Sequence, residues 1–344
     1  MSKKKNNTPF LSILANGIIF LGLIALVFWL IFKDQDMEQV MNTAWSANPI
    51  FLILAIVLMF GYFSLEAWNV MTLLRSFGEK VTFRKVFRLT MVGFFFCSVT
   101  PGASGGQPLE IYYMSREGIS GANATLAILI QTCGIQFAVT SLGLICAIFG
   151  MHYLSGVVAL LFAIGLVINL AALLILLTCI FYTNGLRRFL RHFFGFLWRR
   201  GVKKAERWAT GAEKALDKYT EGSRYIREHG KEFRNSLYKT LLQMALFYLV
   251  PFCIYKAFGL SGYGILSFFV MQSILFVATC GLPIPGAIGA SESVFLTLYG
   301  AAFGEGMVSS AVLLTRGINF YLFVVVSMVF VFASMFLVKR KLKK

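Results

Sequence analysis

Charge is scarce in this chain. Asp, Glu, Lys and Arg supply 14% of its 344 residues while hydrophobic residues supply 58%, and a soluble domain carries about a quarter charged residues. Length alone would suggest two soluble domains, but a surface this poor in charge does not face water over most of its area. Histidine is nearly lacking as well. His152, His192 and His229 are scattered, which excludes a visible metal cluster. The six cysteines (Cys97, Cys133, Cys146, Cys179, Cys253 and Cys280) lie in apolar stretches without a Cys-x-x-Cys pair. They read as packing thiols, not as a disulfide framework or a zinc site. No Gly-x4-Gly-Lys-Ser/Thr phosphate loop occurs. No cofactor is expected. A membrane enzyme transferring a group onto a lipid stays open as an alternative, though no nucleophile or base constellation marks it.

Apolar runs of about 20 residues, the length that crosses a ~30 Å hydrocarbon core, recur along the chain. The net charge of +17, from 32 basic and 15 acidic residues, collects between and after these runs. There it sets topology and meets anionic lipid, so nucleic acid is not expected as a partner. The sequence predicts an all-α polytopic membrane protein.

The charge pattern orders the spans. A first span over 10–32 follows three N-terminal lysines; it is longer than the core of a signal peptide. The loop from Lys33 to Asn48 is acidic and reads as outer. A span over 49–74 returns to an inner loop with Arg75, Lys80, Arg84, Lys85 and Arg88. Residues 86–115 are broken by Thr100 to Pro108, too rich in Pro and Gly for a continuous helix. They read as a re-entrant hairpin, a geometry allowed at membrane depth only inside protein or around a cavity. Spans over 121–150 and 154–182 lead to a basic amphipathic segment, 186–239, on the inner side. A span over 241–258, a second broken hairpin over 265–299 and a last span over 307–338 complete the expectation. That makes six spans and two hairpins, both termini cytoplasmic, in a bacterial cytoplasmic membrane.

The two breaks share a string. Pro101-Gly102-Ala103-Ser104-Gly105 and Pro285-Gly286-Ala287-Ile288-Gly289 agree at four of five positions. Residues 1–150 and 151–344 then form two units with an odd number of crossings each, so the second lies inverted relative to the first. This is the plan of many secondary transporters. Two Pro-kinked helices packed through small residues would explain the same string without a repeat.

Few charges fall at membrane depth: Glu66, Glu110 and Glu292, and Arg316. An intramembrane charge is costly and seldom idle. Glu110 and Glu292 follow the two breaks by similar distances. Each either faces a central cavity as a gating or proton-exchanging group, or pairs with a cation or caps backbone to fix the fold. Arg316 either holds Glu292 or meets a lipid phosphate bidentately. The breaks place half-helix N-termini where free N–H groups favour an anion. Ser104 with Gln107 has capping-box spacing, and Pro108 suits a first turn. The candidate substrate-binding residues are therefore Pro101, Gly102, Ser104, Gly105, Gly106, Gln107, Glu110, Pro285, Gly286, Gly289, Ser291, Glu292 and Arg316.

These motifs resemble a known group. Pro101 to Pro108 with Tyr112 and Tyr113, Leu282 to Glu292, and Arg316 followed by Tyr321 are similar to the flippase-like transmembrane domain of bacterial lysylphosphatidylglycerol synthases. That domain is the membrane half of the multiple peptide resistance factor. The resemblance implies lipid translocation, with phosphatidylglycerol or its aminoacylated form as cargo, and carries over the two breaks, Glu292 and Arg316. With no aminoacyl-transferase domain in the chain, a stand-alone member that does not make the lipid is expected. Its partners are membrane lipids, anionic or aminoacylated. A separate lipid synthase, recruited through the basic segment by a non-transporting subunit, is the alternative reading. A second copy of the chain also stays open as a partner.

Overall fold

The structure, a computed structural model, describes residues 37–181, 183–199, 209–210, 213 and 229–342. The expected first span and most of the basic segment lie outside the described residues. Every element among the described residues is helical.

Helix α1 (Met37–Trp45) occupies the loop expected to be outer. Helix α2 (Pro49–Ser76) starts where Asn48 accepts a hydrogen bond from the Ile50 N–H and Pro49 takes the first helical position. Helix α3 (Phe83–Val99) and helix α4 (Gly106–Arg116) flank a tight turn at Pro101–Ala103. Helices α5 (Gly121–Phe149), α6 (Gly156–Phe181) and α7 (Thr183–Arg199) follow. Helix α8 (Gly230–Ala257) precedes α9 (Ile265–Cys280), a second turn at Pro285–Ala287, and α10 (Ala290–Phe303). Helix α11 (Glu305–Arg316) passes through a π turn at Gly317–Tyr321 into α12 (Leu322–Leu342).

Among the described residues, five stretches are long and apolar enough to cross a membrane: α2, α5, α8, Gly156–Ile175 of α6, and Gly306–Val338 across the π turn. They correspond to five of the six expected spans. Helix α8 begins well before the expected start at 241, because its N-terminal turns pack polar residues such as Ser236 and Thr240 inward. The molecule is inside-out relative to a soluble bundle. Ile50, Ile53, Leu54, Val57 and Phe60 of α2 form an exposed apolar stripe at helical spacing. Val325, Val329, Phe332 and Phe336 do the same on α12.

The core positions two helix–turn–helix units against each other. Helix α2 packs along α8, α3 against α12, and α9 against α5 and α6. Within the first unit, Arg88 of α3 pairs with Glu117 just beyond α4 at 2.6 Å and donates to Ser334 of α12 at 3.0 Å. Within the second, the Tyr299 hydroxyl of α10 donates to Gln272 of α9 at 2.9 Å. The first pair of arms is thus fastened at the end away from its turn and the second from the middle of α9, and the two turns touch each other.

Candidate functional site

The matching strings fold alike. Gly102 and Gly286 have φ of +58°, followed by Ala103 at +54° and Ala287 at +50°. These alanines are the only non-glycine residues with positive φ among the described residues. Left-handed backbone costs an L-residue roughly 1–2 kcal/mol, so the same strain is held at both turns by their surroundings.

Glycine at the turns serves close approach. A Cβ on Gly106 would strike the Cys97 thiol and lie 2.7 Å from the Gly93 carbonyl, which seats α4 on α3. A Cβ on Gly286 would enter the ring of Phe320. Gly102 has no such neighbour; its nearest atom is the Pro283 Cα at 4.0 Å.

Between the turns lies a cavity of ≈ 260 Å³. The sequence-expected residues Gly102, Gly286, Ser291 and Arg316 line it, along with Ala103 and Ala287. Its remaining wall is largely aromatic and aliphatic, interrupted by the buried polar groups Gln272, Thr279, Thr315 and Asn319. Pro101, Ser104 and Gln107 sit on an exposed side of the first turn, whereas Pro285 is buried.

Glu292 and Arg316 meet. Arg316 Nε donates to Glu292 Oε1 at 2.7 Å, and its Nη2 donates to the Gly286 carbonyl at 3.0 Å. The guanidinium lies 4.5 Å from the centre of the Phe320 ring. Tyr321 donates to the same carboxylate oxygen at 3.2 Å. Arg316 and Tyr321 are five residues apart, and the i→i+5 turn between them brings both to one face. The other oxygen, Oε2, accepts from the Gly289 N–H at 2.6 Å. Glu292 therefore pairs with a cation and caps α10 at once. The negative charge that a helix N-terminus attracts is supplied by the chain itself.

The first turn differs from its sequence expectation. Ser104 is helical in backbone (φ −67°, ψ −20°), so its hydroxyl turns back and donates to the Pro101 carbonyl at 2.9 Å. The group that receives the N–H of the N-cap, Gly105, is Thr100 Oγ1 at 2.9 Å. Gln107 donates instead to Thr132 of α5 at 2.9 Å. The Ser104–Gln107 capping box is not formed.

Glu110 is buried outside the cavity wall, its Oε1 accepting from Thr90 at 3.4 Å. A Cβ on Gly93 would fall 2.5 Å from its Oε2, so glycine makes its berth. Glu66 is within electrostatic reach of Glu110 and accepts from Gln243 at 3.2 Å.

That last bond ends a buried polar chain which the sequence reading missed. Asn69 donates to Gln131, Gln131 to Gln243 at 3.4 Å, and Gln243 to Glu66, linking α2, α5 and α8. The available signal was an amide in each of three otherwise apolar spans. Uncharged residues do not register in a charge ledger.

Comparison with known proteins adds two findings. A protein of Archaeoglobus fulgidus named as a UPF0104 membrane protein is 23% identical over 273 residues, covering 78% of this chain and 82% of its own length. The family described as "Lysylphosphatidylglycerol synthase TM region" matches residues 14–327. With the paired turns, the Glu292–Arg316 pair and four of the five membrane-length stretches wholly inside that match, this multi-pass membrane protein belongs to the lysylphosphatidylglycerol synthase transmembrane-region family.

Proposed function

We propose that the protein moves a polar-headgroup lipid between membrane leaflets, with no group-transfer step of its own. The observation that carries this reading is the cavity lined by both broken helices, polar at Arg316, Ser291, the turn backbone and a few buried side chains such as Gln272 and Asn319, and apolar over the rest of its wall. The headgroup, of phosphatidylglycerol or aminoacyl-phosphatidylglycerol type, occupies that cavity while the tails stay in lipid. Broken helices meeting near the bilayer midplane belong to transporters built from inverted repeats. The shared left-handed turns and the contact between them support such a repeat here, with residues 1–150 and 151–344 as its halves. In this reading the hairpins are re-entrant from opposite sides, and both termini face the cytoplasm of a bacterial cell.

The test is a leaflet-exposure assay in proteoliposomes. Fluorescent phosphatidylglycerol, its lysyl derivative and a zwitterionic control are compared for the full chain and for Glu292→Gln and Arg316→Ala. Accelerated exposure of the first two lipids, lost in both variants, is expected. Folded protein that accelerates no lipid overturns the proposal; normal transport by both variants overturns the site assignment.

A further inference from the structure

Pro101, Ser104 and Gln107 are exposed at the first turn yet form no part of the cavity wall. Their depth is fixed by a hydrogen bond. Gln107 donates to Thr132 at 2.9 Å, and Thr132 lies in the middle third of α5. One turn further along, the half-buried Gln136 donates to the Asn169 side chain at 2.9 Å, and Asn169 is likewise central in α6. The first turn therefore stands exposed at mid-membrane depth. Irregular backbone does not face hydrocarbon; at such depth it is buried in protein or lines a water-filled space. Polar side chains follow the same preference. Toward its far end α5 exposes Leu144, Ile145 and Ile148 instead, as a lipid-facing surface does. Apolar exposure gives way to polar exposure within this one helix, where the first turn meets it.

The polar patch is continuous with the cavity. Gly102 and Ala103, between Pro101 and Ser104, are exposed and line the cavity as well. Asn169 donates to the Cys280 thiol at 3.2 Å, and Cys280 is another lining residue. The second turn is closed by contrast: Pro285 is buried and Gly286 packs against the Phe320 ring. We propose that the cavity opens sideways past the first turn, through a water-filled entrance lined by Ser104, Gln107, Thr132 and Gln136, and that a lipid headgroup enters there while its tails stay in the bilayer. The passage of lipid rests on the translocation reading; the water-filled entrance does not. Hydroxyls and amides both donate and accept hydrogen bonds. These side chains therefore serve the phosphate oxygens of a headgroup and its hydroxyl or ammonium donors alike.

The experiment places single cysteines in the full chain, its native cysteines replaced, reconstituted in liposomes. Ser104→Cys and Gln107→Cys probe the entrance, and Ile145→Cys probes the lipid-facing part of α5. A charged methanethiosulfonate, present on both sides of the membrane, reacts with hydrated thiols that can ionise, so positions 104 and 107 should react roughly tenfold or more faster than position 145. Labelling at 104 should then abolish the accelerated exposure of fluorescent phosphatidylglycerol, and labelling at 145 should leave it unchanged. Rates at 104 and 107 no faster than at 145 would overturn the entrance. Disulfide-linked pairs of chains formed at 107 under mild oxidation would also overturn it, because a second copy would then cover the patch. Fast labelling at 104 that leaves lipid exposure intact would overturn the passage of headgroups through it. Fast labelling in a chain that moves no lipid even before labelling upholds the water-filled entrance and overturns the translocation reading instead.

Discussion

Glu292 receives three hydrogen bonds, from Arg316, Tyr321 and the Gly289 backbone, and this crowding decides how its variants behave. Removing one partner of a buried ion pair leaves the other charge uncompensated and costs about 3–5 kcal/mol, whereas replacing both with neutral groups is often far milder. Glu292→Gln and Arg316→Met alone should each lower stability by roughly that amount, read from denaturant titration in mixed micelles. The double variant should recover much of the loss. Transport should not return with it, because the Arg316 donor to the Gly286 carbonyl is gone. Recovery of both would make the pair a fold element only; recovery of neither would mean that the two residues are not coupled. The sequence showed these two side chains as candidates because charges are rare in apolar spans. It could not show that Ser104 and Gln107 lie outside the cavity wall on an exposed face, a property that exists only after folding.

At the scale of elements, the two turns share a conformation but not a neighbourhood. Alanine at Gly102 meets only the left-handed φ, a strain of about 1–2 kcal/mol. Alanine at Gly286 meets that strain and the Phe320 ring. Gly286→Ala should therefore be the more destabilising by at least 1 kcal/mol or so, since forcing extra volume into a packed site typically costs about 1–3 kcal/mol. Equal losses of melting temperature would count against the packing of Phe320 on the second turn. The amide chain across α2, α5 and α8 gives a second expectation at this scale. Gln131→Leu removes the link between Asn69 and Gln243, at a cost of about 1–2 kcal/mol given the modest net worth of interhelical bonds in membranes. Resistance to unfolding by dodecyl sulfate would measure it, and an unchanged midpoint would make the chain energetically silent.

The breaks and five span-length helices were legible because Pro–Gly density and apolar run length are local signals. Helix α1, the early start of α8 and the bond from the Gly105 N–H to Thr100 were not. Each depends on what packs beside it: α1 on Ser310, which donates to its Val40 carbonyl, and α8 on the inward Ser236 and Thr240.

For the whole molecule, the decisive question is on which side of the membrane each hairpin's open end lies. The first opens toward the turn at Gly118, beside the Arg88–Glu117 pair, with Lys85 donating to the Glu117 carbonyl. The second opens toward Gly304, where a φ of +77° reverses the chain into α11. A basic flank favours the cytoplasmic side and its lack permits the outer one. If each hairpin enters and leaves on one side, the two open ends face opposite compartments while the Pro–Gly–Ala turns meet between them. Single cysteines at Gly118 and Gly304, where a side chain has open space and meets only the strain of a positive φ, report this in a background with the native cysteines replaced. A membrane-impermeant maleimide added to intact cells should label position 304 alone, and position 118 should react only after permeabilisation. If both label from outside, the two halves are not inverted, and the cavity between the turns is not reached from opposite sides as lipid translocation between leaflets requires.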